Sequence, residues 1–556
     1  MHSLRFALAA LLTVAPGWAG QVTVTVLATT DLHGNIYPLD YFTGQPSERG
    51  LAKIAALIQS VRRETPNTLL IDCGDTIQGS PIESVYQSYV SAGHLPLGLA
   101  FAGEPLGHDP MMLVMNQLGY RAMTLGNHEF NFGLRNLERA RADASFPWLS
   151  ANTEAQAGAR PFEAYIVATI DGVKVAVVGV TTPNIPNWEE PEHYQGYRFL
   201  DPVRAVESAL AALRRAERPD VTVVAAHMGL GNSGENQVSA IATQVPGIDA
   251  IIFGHTHREE PGERLGGALV VQPKNWGMSL ARIDFTLEST GAGGWKLVDK
   301  RSRLIPVTSA TQPDAGVLSI ARPYHELTER YLNTPVAESG ADLDGRLGRV
   351  EDTALVDAIQ AVQLHYAQAD VSFTALFNPR VKAPKGPVTV RQIAALYVYD
   401  NELYAIEGDG KMVKEALENA ARYFLPCPDA ACSHGPLINR QFAGFNYDMA
   451  EGVEYEIDLR RPPGDRVLNL RRNAQPLAPG QKLRIAVNNY RAGGSGGYSM
   501  FRGAKILWRS SQEIRDLIVA YYTEHKRLPD HADRNWRILP PRAQQILEQE
   551  AIGELE

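Results

Sequence analysis

Only three cysteines are spread over 556 residues, too few for a disulfide framework, which excludes the small cross-linked secreted scaffolds. Excess positive charge is missing too. With 53 Lys and Arg against 62 Asp and Glu the formal charge is -9, which argues against a protein that grips a nucleic-acid polymer. Beyond the first residues no apolar run reaches the roughly 20 needed to cross a bilayer, so no stable membrane anchor is expected. There is no internal repeat and no low-complexity tract. What is present is an ordinary globular composition, 44% hydrophobic and 21% charged, in a chain long enough for two domains.

Residues 1–19 combine Arg5, an apolar stretch from Phe6 to Val14 and small residues at Gly17 and Ala19, the pattern of a secretory signal. A periplasmic or secreted protein starting near Gly20 is expected. In an oxidising compartment Cys427 and Cys432, which bracket a short polar loop, are able to pair. Cys73, between Asp72 and Gly74, reads as a small buried residue.

From Val22 to about Pro273, β-rich runs alternate with amphipathic stretches, the pattern of a layered α/β domain over residues 20–310. The runs are 22–29, 68–72, 120–125, 173–180, 221–226 and 248–253. Between the first two, Leu51, Ile54, Ile58 and Val61 recur at helical spacing. A helical stretch from Ala315 to Tyr331 and a Gly- and Asp-rich run from Glu338 to Gly348 read as a connector, 311–348. A second, mixed α/β region, 349–556, is predicted with a helix over 353–366, strands near 403–407, 453–458 and 483–487, and a last helix near 511–526.

Asp31, Asp75, Asn127, His227 and His255 each fall just beyond a predicted strand, where ligands of α/β sheets gather and a rigid sheet can make distant residues converge. Asp31-Leu32-His33 and His255-Thr256-His257 place ligand-type side chains at i and i+2, which extended backbone would project to one side. Gly74-Asp75 and Gly126-Asn127-His128-Glu129 put a glycine where the chain must turn tightly. This mixed nitrogen and oxygen donor set suits Zn, Mn, Fe or Co better than Ca or Mg. A lone His after a strand is most often structural; the ordered set carries the reading.

In this order, D-x-H, G-D, G-N-H-E, H and G-H-x-H, the sequence resembles the calcineurin-like metallophosphoesterases of the 5′-nucleotidase family. The resemblance implies a four-layer α/β/β/α sandwich followed by a 5′-nucleotidase-type specificity domain. It implies two divalent ions, one held by Asp31, His33, Asp75 and His257, the other by Asp75, Asn127, His227 and His255, with Asp75 as the bridge. His128 would stabilise the phosphate and protonate the leaving oxygen, with Asn127 beside it as ligand. 5′-Nucleotidases carry an Asp three residues after this His, whereas this chain has Asn131. That form is similar to the branch of 2′,3′-cyclic-nucleotide 2′-phosphodiesterases that also act as 3′-nucleotidases.

The second half continues the resemblance through Leu396-Tyr397-Val398-Tyr399-Asp400-Asn401, Phe445-Asn446-Tyr447-Asp448, Asn488-Asn489-Tyr490-Arg491 and Asn535-Trp536-Arg537. Family members stack the base between two aromatic rings, which carries over to Phe445 and Tyr498, with Tyr490 as the alternative to Tyr498. Arg380, in Phe377-Asn378-Pro379-Arg380, is a weak match to a phosphate-binding arginine. The expectation is a monomeric enzyme acting on a small nucleotide, opening 2′,3′-cyclic nucleotides and then removing the 3′-phosphate. The alternatives are a 5′-nucleotidase or nucleotide-sugar hydrolase, and a nucleoside-binding surface protein without activity.

Overall fold

The computed structural model describes residues 20–103, 105–155, 158–291, 294–399 and 401–553; the expected secretory signal, 1–19, lies outside the described residues. The chain divides into two compact units. The first comprises the chain up to Leu39, Pro46–Leu95 and Gly103–Tyr324, and the second Asp40–Gln45, Pro96–Ala102 and His325–Glu556. The division falls inside the helix Ala315–Leu332.

Two six-stranded sheets make the first unit. One runs Trp295–Pro306, Ser279–Ser289, Gln21–Thr29, Thr68–Asp72, Ala122–Thr124, Trp148–Leu149. The other runs Glu260–Leu265, Ala268–Gln272, Ala250–Phe253, Val221–His227, Val173–Thr181, Tyr165–Ile170. Alternate residues of both sheets meet in one core, with Val22, Val24 and Val26 packed among Val173, Val175, Val221 and Val223. The opposite residues of the second sheet, such as Val178, Val224 and Ile251, are buried against the helices Pro202–Ala216 and Val238–Gln244. In the first sheet Leu27, Leu70 and Leu280 are fully buried as well, on the side served by the helix Leu51–Glu64. This is the four-layer α/β/β/α sandwich, and burial on both faces is why Val221–Ala226 reads as an unbroken apolar run.

The structure extends the sequence reading at the end of this unit. Ser279–Ser289 and Trp295–Pro306 form a long hairpin, and Ser279–Ser289 pairs antiparallel along Gln21–Thr29. It closes one side of the first sheet and was not anticipated.

In the second unit a five-stranded sheet runs Asp448–Glu451, Val371–Ala375, Lys482–Asn488, Glu402–Asp409, Ile506–Glu513. A four-stranded sheet is built from Gln475–Pro476, Val467–Arg472, Glu454–Asp458 and Trp536–Leu539. Residues 511–513 belong to a strand and the helix after them is Ile514–His525, but it is not the last: Pro541–Gly553 follows. Part of the stretch read as a connector is ordered by pairing, since Pro335–Ser339 forms a ladder with Gly386–Thr389. Cys427 and Cys432 form a disulfide, and Cys73 is free and buried. Among the described residues no helix is long and apolar enough to cross a membrane.

Candidate metal centre

Parallel pairing sets the strand ends side by side. Gln21–Thr29 lies against Thr68–Asp72 and Val221–His227 against Ala250–Phe253, so Asp31, Asp75, His227 and His255 leave their sheets in the same direction. The turns that follow are not extended. Asp31, His33, Asp75, His255 and His257 all have left-handed backbone, with φ of 48°, 46°, 58°, 74° and 54°. The i, i+2 pairs therefore converge through tight turns, not through the strand alternation expected from the sequence. Left-handed backbone costs roughly 1 to 2 kcal/mol per residue outside glycine, and its concentration here marks a site held in shape by its surroundings.

Those surroundings are specific. The buried Glu129 carboxylate accepts the backbone N–H of Asp75 at 3.0 Å, Thr76 at 2.6 Å and Gly126 at 2.7 Å, tying the loops that carry Asp75 and Asn127 together. Gly126 has to be glycine because a Cβ there would lie 2.2 Å from Asp75 Oδ1. Gly254 is confined likewise, with a Cβ falling 1.9 Å from Thr30 Oγ1 and 2.5 Å from Asp31 Oδ2. The Asp31 carboxylate accepts the His255 N–H through both oxygens, at 2.9 and 3.0 Å.

Asp31, His33, Asp75 and His227 are at most 1% exposed and Asn127 5%. Atoms able to hold a metal form two groups, Asp31 with His33 and His257, and Asp75 with His227 and His255, each within 4.8 Å, and His33 and Asp75 meet across them in a third with His128. In the first, His33 Nε2 stands 3.1 Å from His257 Nε2, which is 3.5 Å from Asp31 Oδ1. In the second, His227 Nε2 is 2.9 Å from Asp75 Oδ2 and 3.1 Å from Asn127 Oδ1. Asp75 Oδ2 also lies 4.0 Å from His33 Nε2, so its carboxylate stands between the groups.

Backbone carbonyls decide which ring nitrogens are available. His227 Nδ1 donates to the carbonyl of Cys73 at 2.8 Å, and His33 Nδ1 to that of Gln78 at 2.9 Å, so each presents Nε2 to the site. At His227 that nitrogen meets a carboxylate oxygen and an amide oxygen. A proton on Nε2 satisfies these oxygens when no metal is bound, and a divalent cation would satisfy all three ligand atoms in its place. Ligand bonds of about 2.0 to 2.2 Å put neighbouring ligand atoms about 3 to 3.6 Å apart, the spacing seen here. The residues present fit divalent ions in both groups.

The electrostatics agree. Burial and then the neighbouring His257 and His128 push His33 down to about 4, and burial and then His227 push His255 down to about 3, so both are neutral imidazoles at physiological pH. Burial opposes charge on Asp31, but its hydrogen bond to His257 holds the carboxyl down at about 2. Burial also opposes the His227 imidazolium, and Asp75 outweighs it, raising the pKa from 6.5 to about 10. With no metal bound, the His227–Asp75 pair stabilises the fold fully below about pH 6.5, and that contribution is lost as pH rises through about 10. Metal must displace this proton. Calorimetric titration of Zn into metal-free protein at about pH 7.5 is expected to show about one proton released from this residue, as an enthalpy that changes with the buffer; independence of the buffer would contradict it.

His128 sits at the rim, half-buried, its N–H donating to Asp75 Oδ1 at 2.9 Å and its ring centroid 5.1 Å from that of His33. Its Nδ1 is 2.5 Å from Asn131 Oδ1, and Asn131 Nδ2 donates to Glu189. Sequence reasoning had placed Asn131 here but missed Glu189, which no motif flags, and the structural work of Glu129, which the G-N-H-E run does flag.

A calcineurin-like phosphoesterase model matches residues 24–259 and a 5′-nucleotidase C-terminal domain model residues 332–503. The 2′,3′-cyclic-nucleotide 2′-phosphodiesterase/3′-nucleotidase of Salmonella typhimurium is 30% identical over 94% of this chain and 90% of its own length. The chain belongs to the calcineurin-like phosphoesterases of the 5′-nucleotidase family. As a member it is a metal-dependent hydrolase, and the family is dimetal-dependent. The trifunctional nucleotide phosphoesterase YfkN of Bacillus subtilis is 31% identical over 94% of this chain, which spans 39% of that longer protein. A Staphylococcus aureus structure assigned as a 5′-nucleotidase, in complex with α-ketoglutarate, is 27% identical and covers 93% of this chain and 100% of its own, with a TM-score of 0.70.

In the second unit the family-derived base platform needs one correction. Tyr498 is fully buried, its hydroxyl accepting from the Asp448 N–H at 3.1 Å and donating to the Asn446 carbonyl at 3.0 Å, so it has no free face for a base. Phe445 and Tyr490 are 41% and 46% exposed, and Tyr399, 6.5 Å from Phe445 between ring centroids, is 44% exposed. Buried Arg491 organises this cluster: it pairs with both Asp448 oxygens at 2.7 and 2.9 Å and donates to the Phe445 carbonyl at 2.6 Å. Arg380 is exposed beside Asn378, whose side chain accepts its backbone N–H.

Proposed function

We propose that this protein is an exported dimetal phosphoesterase that opens 2′,3′-cyclic nucleotides to 3′-nucleotides and then removes the 3′-phosphate to leave nucleosides. The observation that carries the reading is His128 Nδ1 held on the amide oxygen of Asn131, at the rim of a converged donor set. The printed activity of the Salmonella relative supports the substrate class. The Cys427–Cys432 disulfide supports export to an oxidising compartment.

Two divalent ions, of the Zn, Mn, Fe or Co class, would when bound supply positive charge to the phosphate oxygens and acidify the attacking water. Asp31, His33, Asp75 and His257 would hold one, and Asp75, Asn127, His227 and His255 the other. Water attacks phosphorus, the P–O2′ bond breaks, and His128, whose Nδ1 is engaged by Asn131, delivers a proton from Nε2 to O2′. The second cycle breaks the P–O3′ bond in the same way and releases phosphate. The neutral donors His33 and His255 keep their lone pairs for ligation across the physiological range.

Phe445 is proposed as one base platform, with Tyr490 or Tyr399 as its partner in place of Tyr498. Phe445→Ala is expected to raise KM for nucleotides about 5- to 150-fold, the equivalent of about 1 to 3 kcal/mol of stacking, with little change for p-nitrophenyl phosphate, which has no base. The test of the substrate class is a comparison of 2′,3′-cAMP, 3′-AMP and 5′-AMP with Mn or Zn. The first two should be preferred in kcat/KM by about tenfold or more. A preference for 5′-AMP would overturn it in favour of a 5′-nucleotidase, the second reading, which the match to the 5′-nucleotidase C-terminal domain favours.

A further inference from the structure

His128 meets an amide in Asn131, and the hydrogen bonds behind that amide lead to a carboxylate. Asn131 Nδ2 donates to Glu189 Oε1, and Glu189 Oε2 accepts from His193 Nδ1 at 3.0 Å. Glu189 is 3% exposed, just beyond the short helix Ile185–Trp188, and its N–H donates to the Ile185 carbonyl at 3.0 Å. The preceding Trp188 lays its ring 5.4 Å from that of His255, which ties this loop to the metal centre.

We propose that Glu189 is a positioning residue for His128, acting through Asn131. An ionised carboxylate only accepts hydrogen bonds, so the Asn131 amide must present its NH2 to Glu189 and therefore its oxygen to His128. That oxygen also only accepts, so His128 must carry a hydrogen on Nδ1. Nε2 is left as the nitrogen that holds and releases the proton. Turning the amide over would set two oxygens against each other at Glu189 and would give His128 Nδ1 an N–H to accept, calling for the opposite tautomer. The buried Glu189 carboxylate thus fixes the rotamer, the tautomer and the ring plane of the imidazole through the intervening amide. It also polarises the amide toward its oxygen, strengthening the hold on the imidazole. The 5′-nucleotidases place an Asp directly on this His; here the charge stands one side chain further back.

The inference rests on reading His128 as the proton donor to the leaving oxygen, and the experiment separates the two. Glu189→Gln, Asn131→Asp and the double variant are assayed as metal-loaded enzymes on 3′-AMP and on p-nitrophenyl phosphate, whose nitrophenolate leaves without a proton. Each single variant should lose about 10- to 100-fold in kcat on 3′-AMP, the usual cost of removing an outer partner, with KM and metal content unchanged. Asn131→Asp fails because two carboxylates then face each other. On p-nitrophenyl phosphate both should stay within about threefold of the parent. The double variant exchanges the two groups, setting an amide donor at position 189 opposite a carboxylate acceptor at position 131, and should recover kcat on 3′-AMP to within about threefold.

Equal losses on both substrates, or a double variant worse than either single one, would reduce Glu189 to a loop anchor and overturn the proposal. Full activity of Glu189→Gln would overturn it too. If the parent enzyme hydrolyses neither compound, the phosphoesterase reading fails and the catalytic purpose of the relay goes with it. Should a variant not fold, 15N NMR of the zinc-loaded parent decides: the neutral His128 ring must carry its proton on Nδ1, and a proton on Nε2 contradicts the relay.

Discussion

Asp75→Asn is expected to lower kcat on every phosphoester substrate by roughly 10³-fold or more and to reduce bound metal from two ions per chain to one or none. The substitution keeps the shape of the side chain and removes its charge. Asp75 is 1% exposed, and its Oδ2 lies 2.9 Å from His227 Nε2 and 4.0 Å from His33 Nε2, so one oxygen faces both ligand groups. Its Oδ1 accepts the His128 N–H, which an Asn oxygen can still do. The loss should therefore appear in metal content, measured by mass spectrometry of dialysed protein, and in turnover, with the fold intact by circular dichroism. Retention of two ions with full activity would remove Asp75 from the bridging role.

His128→Ala is expected to cost about 10²- to 10⁴-fold in kcat on nucleotides, the range for a general acid, while both ions remain bound. His128 also groups with His33 and Asp75 within 4.8 Å, a set that has the makings of a ligand trio. Metal analysis separates the roles. Loss of an ion in His128→Ala would make His128 a ligand; loss of turnover with two ions retained makes it the proton donor. The loss on a nitrophenyl ester should be clearly smaller, since its leaving group needs no proton and only the contact to the phosphate is removed.

The N-terminal unit was legible because its signals are local. Thr68–Asp72 matches its predicted run, and the run predicted over 221–226 extends only to His227, since strands buried on both faces must be continuously apolar. The hairpin Ser279–Ser289 and Trp295–Pro306 was missed although Ile283, Phe285 and Leu287 alternate with polar residues, the mark of a strand with one face in the core. The helix Pro541–Gly553 was missed although its buried residues, Ala543, Ile546, Leu547 and Ala551, recur at helical spacing.

The proposed base platform shows the opposite limit. Tyr490 and Tyr498 are the same residue type on either side of a glycine-rich loop, and nothing in their order says which one faces solvent. Packing decided: Tyr498 lies under Arg491, whose guanidinium stands 4.5 Å from its ring centroid, and its hydroxyl is spent on the Asn446–Asp448 backbone.

The sequence by itself determined the donor set and its order along the chain, because metal chemistry restricts ligands to a few residue types and the α/β pattern restricts where they occur. Only the tertiary structure decided how they converge: through left-handed turns clamped by Glu129, with backbone carbonyls of Cys73 and Gln78 choosing the tautomers. Glu189 came from the tertiary structure alone. A hydrogen bond between residues 58 apart depends on where two loops meet in space, and neither loop carries a local signal of the other.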